Sequence, residues 1–244
     1  MANESASDPG ATFTAIIQLG TELAVVIYFR KQIWSILKNL IRSIFRMENE
    51  TSETKLGWFI VIGTLPIVIL GFLFQDLIRT ELRSLWVVAI VLILGGIILG
   101  LADRLGRQSL QLRNMDLRSG VIAGFAQALA LIPGVSRSAA TISAMRALGY
   151  DRVAALQFSF LLAIPAVLAS GIFELVNSLS NPELSRFSAA QTLVATSVSF
   201  ISGYIVIAWL LRYVARRSFA PFVIYRISLG ALLIILLSSG TIVA

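Results

Sequence analysis

What most constrains this chain is a succession of apolar runs, each close to the length of a bilayer crossing. Strong runs fall at about 11–29, 57–78, 84–102, 190–211 and 219–239, with a sixth at about 153–173. A helix needs about 20 apolar residues to cross ~30 Å of hydrocarbon, where its backbone must satisfy its own hydrogen bonds. Of the 244 residues, 57% are hydrophobic and 14% charged, which excludes an ordinary soluble domain. The expected fold is an all-α polytopic membrane protein, with 1–244 as a single transmembrane domain. Residues 1–10 are polar and acidic, with no basic n-region or apolar h-region, and do not read as a signal peptide.

Arginine and lysine orient the spans. Residues 30–55 carry Arg30, Lys31, Lys38, Arg42, Arg46 and Lys55; 104–118 carry Arg104, Arg107, Arg113 and Arg118; 212–217 carry Arg212, Arg216 and Arg217. These links read as cytoplasmic. The links at 79–83 and 176–189 are poorer in positive charge and read as outside, as do both termini. The net charge of +7 follows from this bias, so no nucleic-acid partner is expected. Residues 31–46 place apolar side chains at helical spacing among Lys38, Arg42 and Arg46, as in a helix lying on the anionic leaflet or packed on the bundle.

One segment breaks the pattern. Residues 118–149 are apolar but interrupted by Pro133, Gly134 and Arg137. Arg118, Arg146 and Arg152 all read as inside, so the segment is expected to enter from the cytoplasm and return as two half-helices. An arginine at membrane depth is costly and normally faces a bundle interior or polar cavity. Ser136, Ser138 and Thr141 supply hydroxyls beside Arg137, and Pro133 and Gly134 break the helix before it. Arginine, hydroxyls and free backbone amides together suit a phosphate ligand. The chain has no histidine and no cysteine, which removes phosphohistidine and thiolate chemistry, and no cluster of metal ligands is visible.

A weak internal repeat relates Phe13–Ala24 to Phe158–Ala169. The two copies run in opposite directions across the membrane, and each opens a set of three spans. That is the arrangement of an inverted repeat, with halves at about 1–105 and 118–244. Pro133 lies further before Phe158 than Met1 lies before Phe13, so the first half's counterpart of the broken helix would fall ahead of Met1.

Pro133-Gly-Val-Ser-Arg-Ser-Ala-Ala-Thr141 resembles the Pro-Gly-x-Ser-Arg-Ser-x-x-Thr signature of the bacterial undecaprenyl-diphosphate phosphatases, the bacitracin-resistance family. The likeness continues through Gly124–Ile132, Phe158–Pro165, Ile17–Gly20 and Tyr225–Ile227 and covers essentially the whole chain. It implies hydrolysis of a polyprenyl diphosphate lipid, undecaprenyl diphosphate, in the bacterial inner (plasma) membrane. This recycles the lipid carrier of cell-wall synthesis and confers bacitracin resistance. It also implies a divalent cation, magnesium or calcium. The family's earlier motif, a Glu-x-x-x-Glu-like stretch followed by a Pro-Val-Ser-Ser-x-Gly-His-like loop, carries its expected acid/base groups and has no match here. Gln18 and Glu22 fit the bare Gln-x-x-x-Glu spacing but sit in the Gln-Leu-Gly segment that follows that loop's position. Glu22 therefore has two readings, a catalytic group or a buried polar contact.

By the same resemblance, Arg137 and Ser136 are the expected catalytic residues. Pro133, Gly134, Ser136, Arg137, Ser138 and Thr141 are the expected substrate-binding set, with Thr141 also readable as a helix cap. Arg226 reads equally as site support or structure, and Gln127 and Gln157 as hydrogen bonds between helices. Two other functions stay open: a transporter or flippase of a phosphorylated polyprenyl lipid, and an inactive homologue shortened at its N-terminus. So does the oligomeric state, a homo-oligomer included.

Overall fold

The structure is a computed structural model that describes residues 11–45, 51–74, 84–180 and 187–242. Residues 1–10, Arg46, the end of the second run at 75–78, the link at 79–83 and Arg186 lie outside the described residues. Among the described residues the α-helices are α1 (Ala11–Tyr28), α2 (Arg30–Ile44), α3 (Ser52–Leu73), α4 (Leu85–Leu105), α5 (Leu117–Ala128), α6 (Arg137–Ala147), α7 (Arg152–Ser180), α8 (Ala189–Val214) and α9 (Ala220–Ser238). Five of these, α3, α4, α7, α8 and α9, hold stretches long and apolar enough to cross a membrane. In α1 the corresponding stretch is the shorter Ile16–Tyr28.

The helices begin and end where polar caps allow, rather than where the apolar runs stop. α3 starts ahead of its run because the Thr51 hydroxyl accepts from the Thr54 N–H at 3.2 Å, and Glu53 in the first turn complements the helix dipole. α4 starts where the Ser84 hydroxyl accepts from Trp86 N–H at 3.2 Å. The faces turned outward are apolar: Val68, Ile69 and Phe72 on α3, Leu94, Ile98 and Leu101 on α4, Ile201 and Ile205 on α8. A soluble protein could not carry such continuous apolar faces, whereas lipid is their ordinary solvent.

The chain groups into two compact units. One takes the chain up to Ile33 and again from Ile164 to Leu210; the other takes Trp34–Ala163 and Leu211 onward. In the first, α1 and α8 approach so closely at Gly20 that a Cβ there would run into the Thr196 carbonyl. Phe13 stacks on Phe187 at 4.0 Å between ring centroids.

In the second unit α5 packs on α3 and α6, α6 on α4, and α4 on α9. The first half of α7 supplies buried Leu156, Phe158, Leu161 and Leu162. Gly124 of α5 lies against the Gly63 backbone of α3, with no room for a side chain. α5 has 12 residues and α6 has 11, about 18 and 16 Å of helix, and neither can span ~30 Å of hydrocarbon. The segment expected to hold a broken helix does so: α5 passes into a 3₁₀ turn at Leu129–Leu131, a non-helical stretch follows, and α6 begins at Arg137.

The far end of α6 is tied down by charge. Arg146 is fully buried, and its Nε donates to Asp103 Oδ1 at 3.1 Å. Its two Nη atoms donate to the carbonyls of Asp103, Gly106, Arg107 and Tyr150. Asp103, at the end of α4, also accepts from Arg152 at 2.7 and 3.2 Å and from the Phe219 N–H at 3.1 Å. One carboxylate thus joins α4, α6, the start of α7 and the start of α9. The Tyr150 hydroxyl, beside this knot, donates to Ser119 Oγ at 3.0 Å.

Two outcomes are expected. Asp103→Ala leaves the buried Arg146 guanidinium without its counter-charge and should cost about 3–5 kcal/mol, read as a lower thermal midpoint in detergent, with Arg152→Ala costing less. Asp116 caps α5, and hydrogen bonds from the Ser119 side chain and N–H hold its carboxyl below the usual range. A lowered carboxylate contributes stability above the ordinary value of about 3.9 and loses it as pH falls through the folded value. The midpoint gap between the protein and Asp116→Ala should therefore be full at neutral pH and close below about pH 4.

Candidate functional site

The break between α5 and α6 is a tight turn whose backbone is specified residue by residue. Gly134 has φ of +91°, and a Cβ there would lie 3.0 Å from the Val88 carbonyl oxygen, so both conformation and space ask for glycine. Ser136 has φ of 64° and ψ of 111°, the only positive φ at a non-glycine among the described residues. Such a backbone costs about 1–3 kcal/mol and persists only where the surroundings over-determine it. Part of what holds it is local: Ser136 is the N-cap of α6, its hydroxyl accepting from the Ala139 N–H at 3.4 Å and lying 3.5 Å from Ser138 Oγ.

The rest is held by Arg226 of α9. Its Nη2 donates to the carbonyls of Gly134 at 2.9 Å and Val135 at 3.1 Å. Arg226 is 8% exposed and reaches these carbonyls past Gly95 of α4, where a Cβ would sit 2.5 Å from Nη2. The Gly134 and Val135 carbonyls thus turn toward Arg226, while at the start of α6 the Ala139 and Ala140 N–H groups bond back to the Ser136 hydroxyl and carbonyl. A helix N-terminus beside a guanidinium is chemistry that suits an anion.

Of the expected site residues, the turn brings together Pro133, Gly134, Ser136, Arg137 and Ser138, with Ser136 exposed and the others half-buried. Thr141 is fully buried one turn below, and its hydroxyl donates to the Arg137 carbonyl at 3.0 Å. Glu22 belongs to the other unit, on α1, and is 3% exposed. Gln127 does not make the expected hydrogen bond between helices: both atoms of its buried amide lack a hydrogen-bond partner. The Asp103–Arg146–Arg152 knot was not anticipated from the sequence, although an acidic residue ending an apolar run is a signal that a partner must exist.

Comparison with known proteins decides the family. The sequence profile of the bacitracin resistance protein BacA family matches residues 1–232. The chain belongs to that family. It is 55% identical over 238 residues to the undecaprenyl-diphosphatase of Clavibacter michiganensis subsp. michiganensis, covering 97% of this chain and 87% of that one. It is 51% identical to the undecaprenyl-diphosphatase of a Nocardioides species over 97% of this chain and 86% of that one. The Micrococcus luteus undecaprenyl-diphosphatase is 51% identical, over 98% of this chain and 87% of its own length. The stretch 133–141 that resembles the family's signature comprises the strained turn and the first residues of α6.

The turn yields a paired prediction. Ser136→Gly relieves the positive φ while losing the cap, whereas Ser136→Ala loses the cap and keeps the strain. Ser136→Ala should be the less stable by about 1 kcal/mol, measured by thermal unfolding in detergent.

Proposed function

We propose that this chain is a multi-pass membrane phosphatase of the bacterial plasma (inner) membrane. It hydrolyses undecaprenyl diphosphate to undecaprenyl phosphate and inorganic phosphate, recycling the lipid carrier of cell-wall synthesis and conferring bacitracin resistance. The observation that carries this reading is the turn at 133–138 in a chain of the bacitracin resistance family, which sets Arg137 at the N-terminus of α6.

Hydrolysis adds water across the P–O–P bridge, and negative charge grows on the bridging oxygen and the departing lipid phosphate. Arg137, at the first position of α6, carries a planar guanidinium whose fork geometry matches phosphate oxygens. The N–H groups of the same helix end supply fixed partial positive charge. Donors already in place when charge develops are worth most in a water-poor site. Arg226 touches backbone rather than ligand, and acts by holding the Gly134 and Val135 carbonyls away from the incoming anion.

To a divalent cation this turn offers serine hydroxyls and backbone carbonyls but no carboxylate, and among the described residues no three His, Cys, Asp or Glu side chains gather. The roles given to Arg137 and Arg226 use no cation.

Phosphate release from undecaprenyl diphosphate by the purified full chain tests the reading. Arg137→Ala should lower kcat/KM by about 10²–10³-fold, and Arg137→Lys should recover only part, because an ammonium cannot reproduce the fork. Absence of phosphate release by the unaltered chain would sink the proposal.

A further inference from the structure

Beside the turn lies an apolar groove of about 400 Å³ between α4, α5 and α6. Its origin is legible in α6, where positions 139, 140, 143, 144 and 147 share one face and carry only alanine or serine. Small side chains there keep α6 from filling the space that Val91, Leu94 and Ile98 of α4 enclose from the other side. The only polar side chain in the lining is Ser143, and its hydroxyl donates to the Ala139 carbonyl at 2.7 Å, so it asks nothing of an occupant.

The groove is continuous with the phosphate turn. Ile132 and Val135, which flank Pro133 and Gly134, form one end, and Ala139 and Ala140 belong to the first turn of the helix that Arg137 opens. At the other end are Ala102 and Ala147, and Leu94, Ile98 and Leu129 stand exposed along the rim. An anion seated at the turn therefore has a dry channel leading away from it.

We infer that this groove receives the phosphate-proximal isoprene units of the polyprenyl diphosphate, an inference that rests on the phosphatase reading above. A methylene needs about the room of a water molecule, roughly 30 Å³, so 400 Å³ takes about a dozen carbons, or two to three isoprene units. The remainder of a long chain stays in the bilayer through the open rim. Moving a tail from lipid into such a groove gains no hydrophobic transfer energy, only packing. The groove therefore adds little to affinity and acts by fixing where the diphosphate sits relative to Arg137. Displacements of about 1 Å at a reacting centre can cost 10²-fold in rate.

The test uses the full chain in vesicles with undecaprenyl diphosphate carrying a photoreactive diazirine on its second isoprene unit. Label is expected within residues 91–102 or 139–147, suppressed by excess unlabelled undecaprenyl diphosphate. Ala144→Phe fills the groove, and Leu129→Trp narrows its exposed rim with less demand on packing. Each should lower labelling and phosphate release by about ten-fold or more. Label falling elsewhere overturns the inference. So does equal labelling of these segments by a phospholipid with a diazirine on its acyl chain that undecaprenyl diphosphate does not displace, since the groove then belongs to bilayer lipid. Labelling needs no turnover, which separates the two readings. Labelled groove residues without hydrolysis would sink the phosphatase reading, and hydrolysis with label elsewhere would sink the groove alone.

Discussion

Asp103 is a carboxylate at the end of an apolar helix, and one oxygen or the other accepts from Arg146, Arg152 and the Phe219 N–H. Each partner alone would be costly to bury. Together they satisfy one another, and the guanidinium of Arg146 uses its remaining donors on carbonyls that the ends of α4 and α6 leave open. Replacing such a cluster with apolar side chains could leave stability unchanged, but removing one member leaves an uncompensated charge. The knot thus acts as a specification of position: it sets where α6 ends relative to α4 and α9.

The opposite end of α6 is set by a different device. Arg226 comes from α9 and takes two carbonyls from the turn, and α9 itself begins beside the Asp103 knot. α6, only 11 residues long, is held at both ends by buried arginines whose partners belong to other elements. A helix so short is marginal by itself. It is also the element whose N-terminus must stay still if Arg137 is to meet developing charge. The strain at Ser136 is stored in the same stretch and can persist because both ends are fixed.

Much of this architecture is legible in the amino-acid sequence. The apolar runs announce the spanning helices, because hydrocarbon forces the backbone to satisfy itself within each segment. Pro133, Gly134 and Arg137 announce the break, since none of the three suits an uninterrupted apolar helix. Helix ends are less legible: α3 begins at Ser52 and α7 runs to Ser180, beyond their apolar runs, because caps and polar turns decide ends while hydropathy reports only the lipid-facing part. Gln127 misleads, because a glutamine in an apolar helix predicts a partner across the interface and its amide has none.

The sequence by itself determined the membrane-spanning helices, the helical class and the place of the broken helix. Each of these follows from local composition or from a contiguous motif. Tertiary structure alone decided that Arg226 grips the turn, that Arg146 and Arg152 share Asp103, and that the alanine face of α6 leaves a groove rather than a packed seam. Those outcomes join residues far apart in the chain. A buried arginine declares that it needs acceptors, but which carbonyls and which carboxylate provide them depends on how the helices pack.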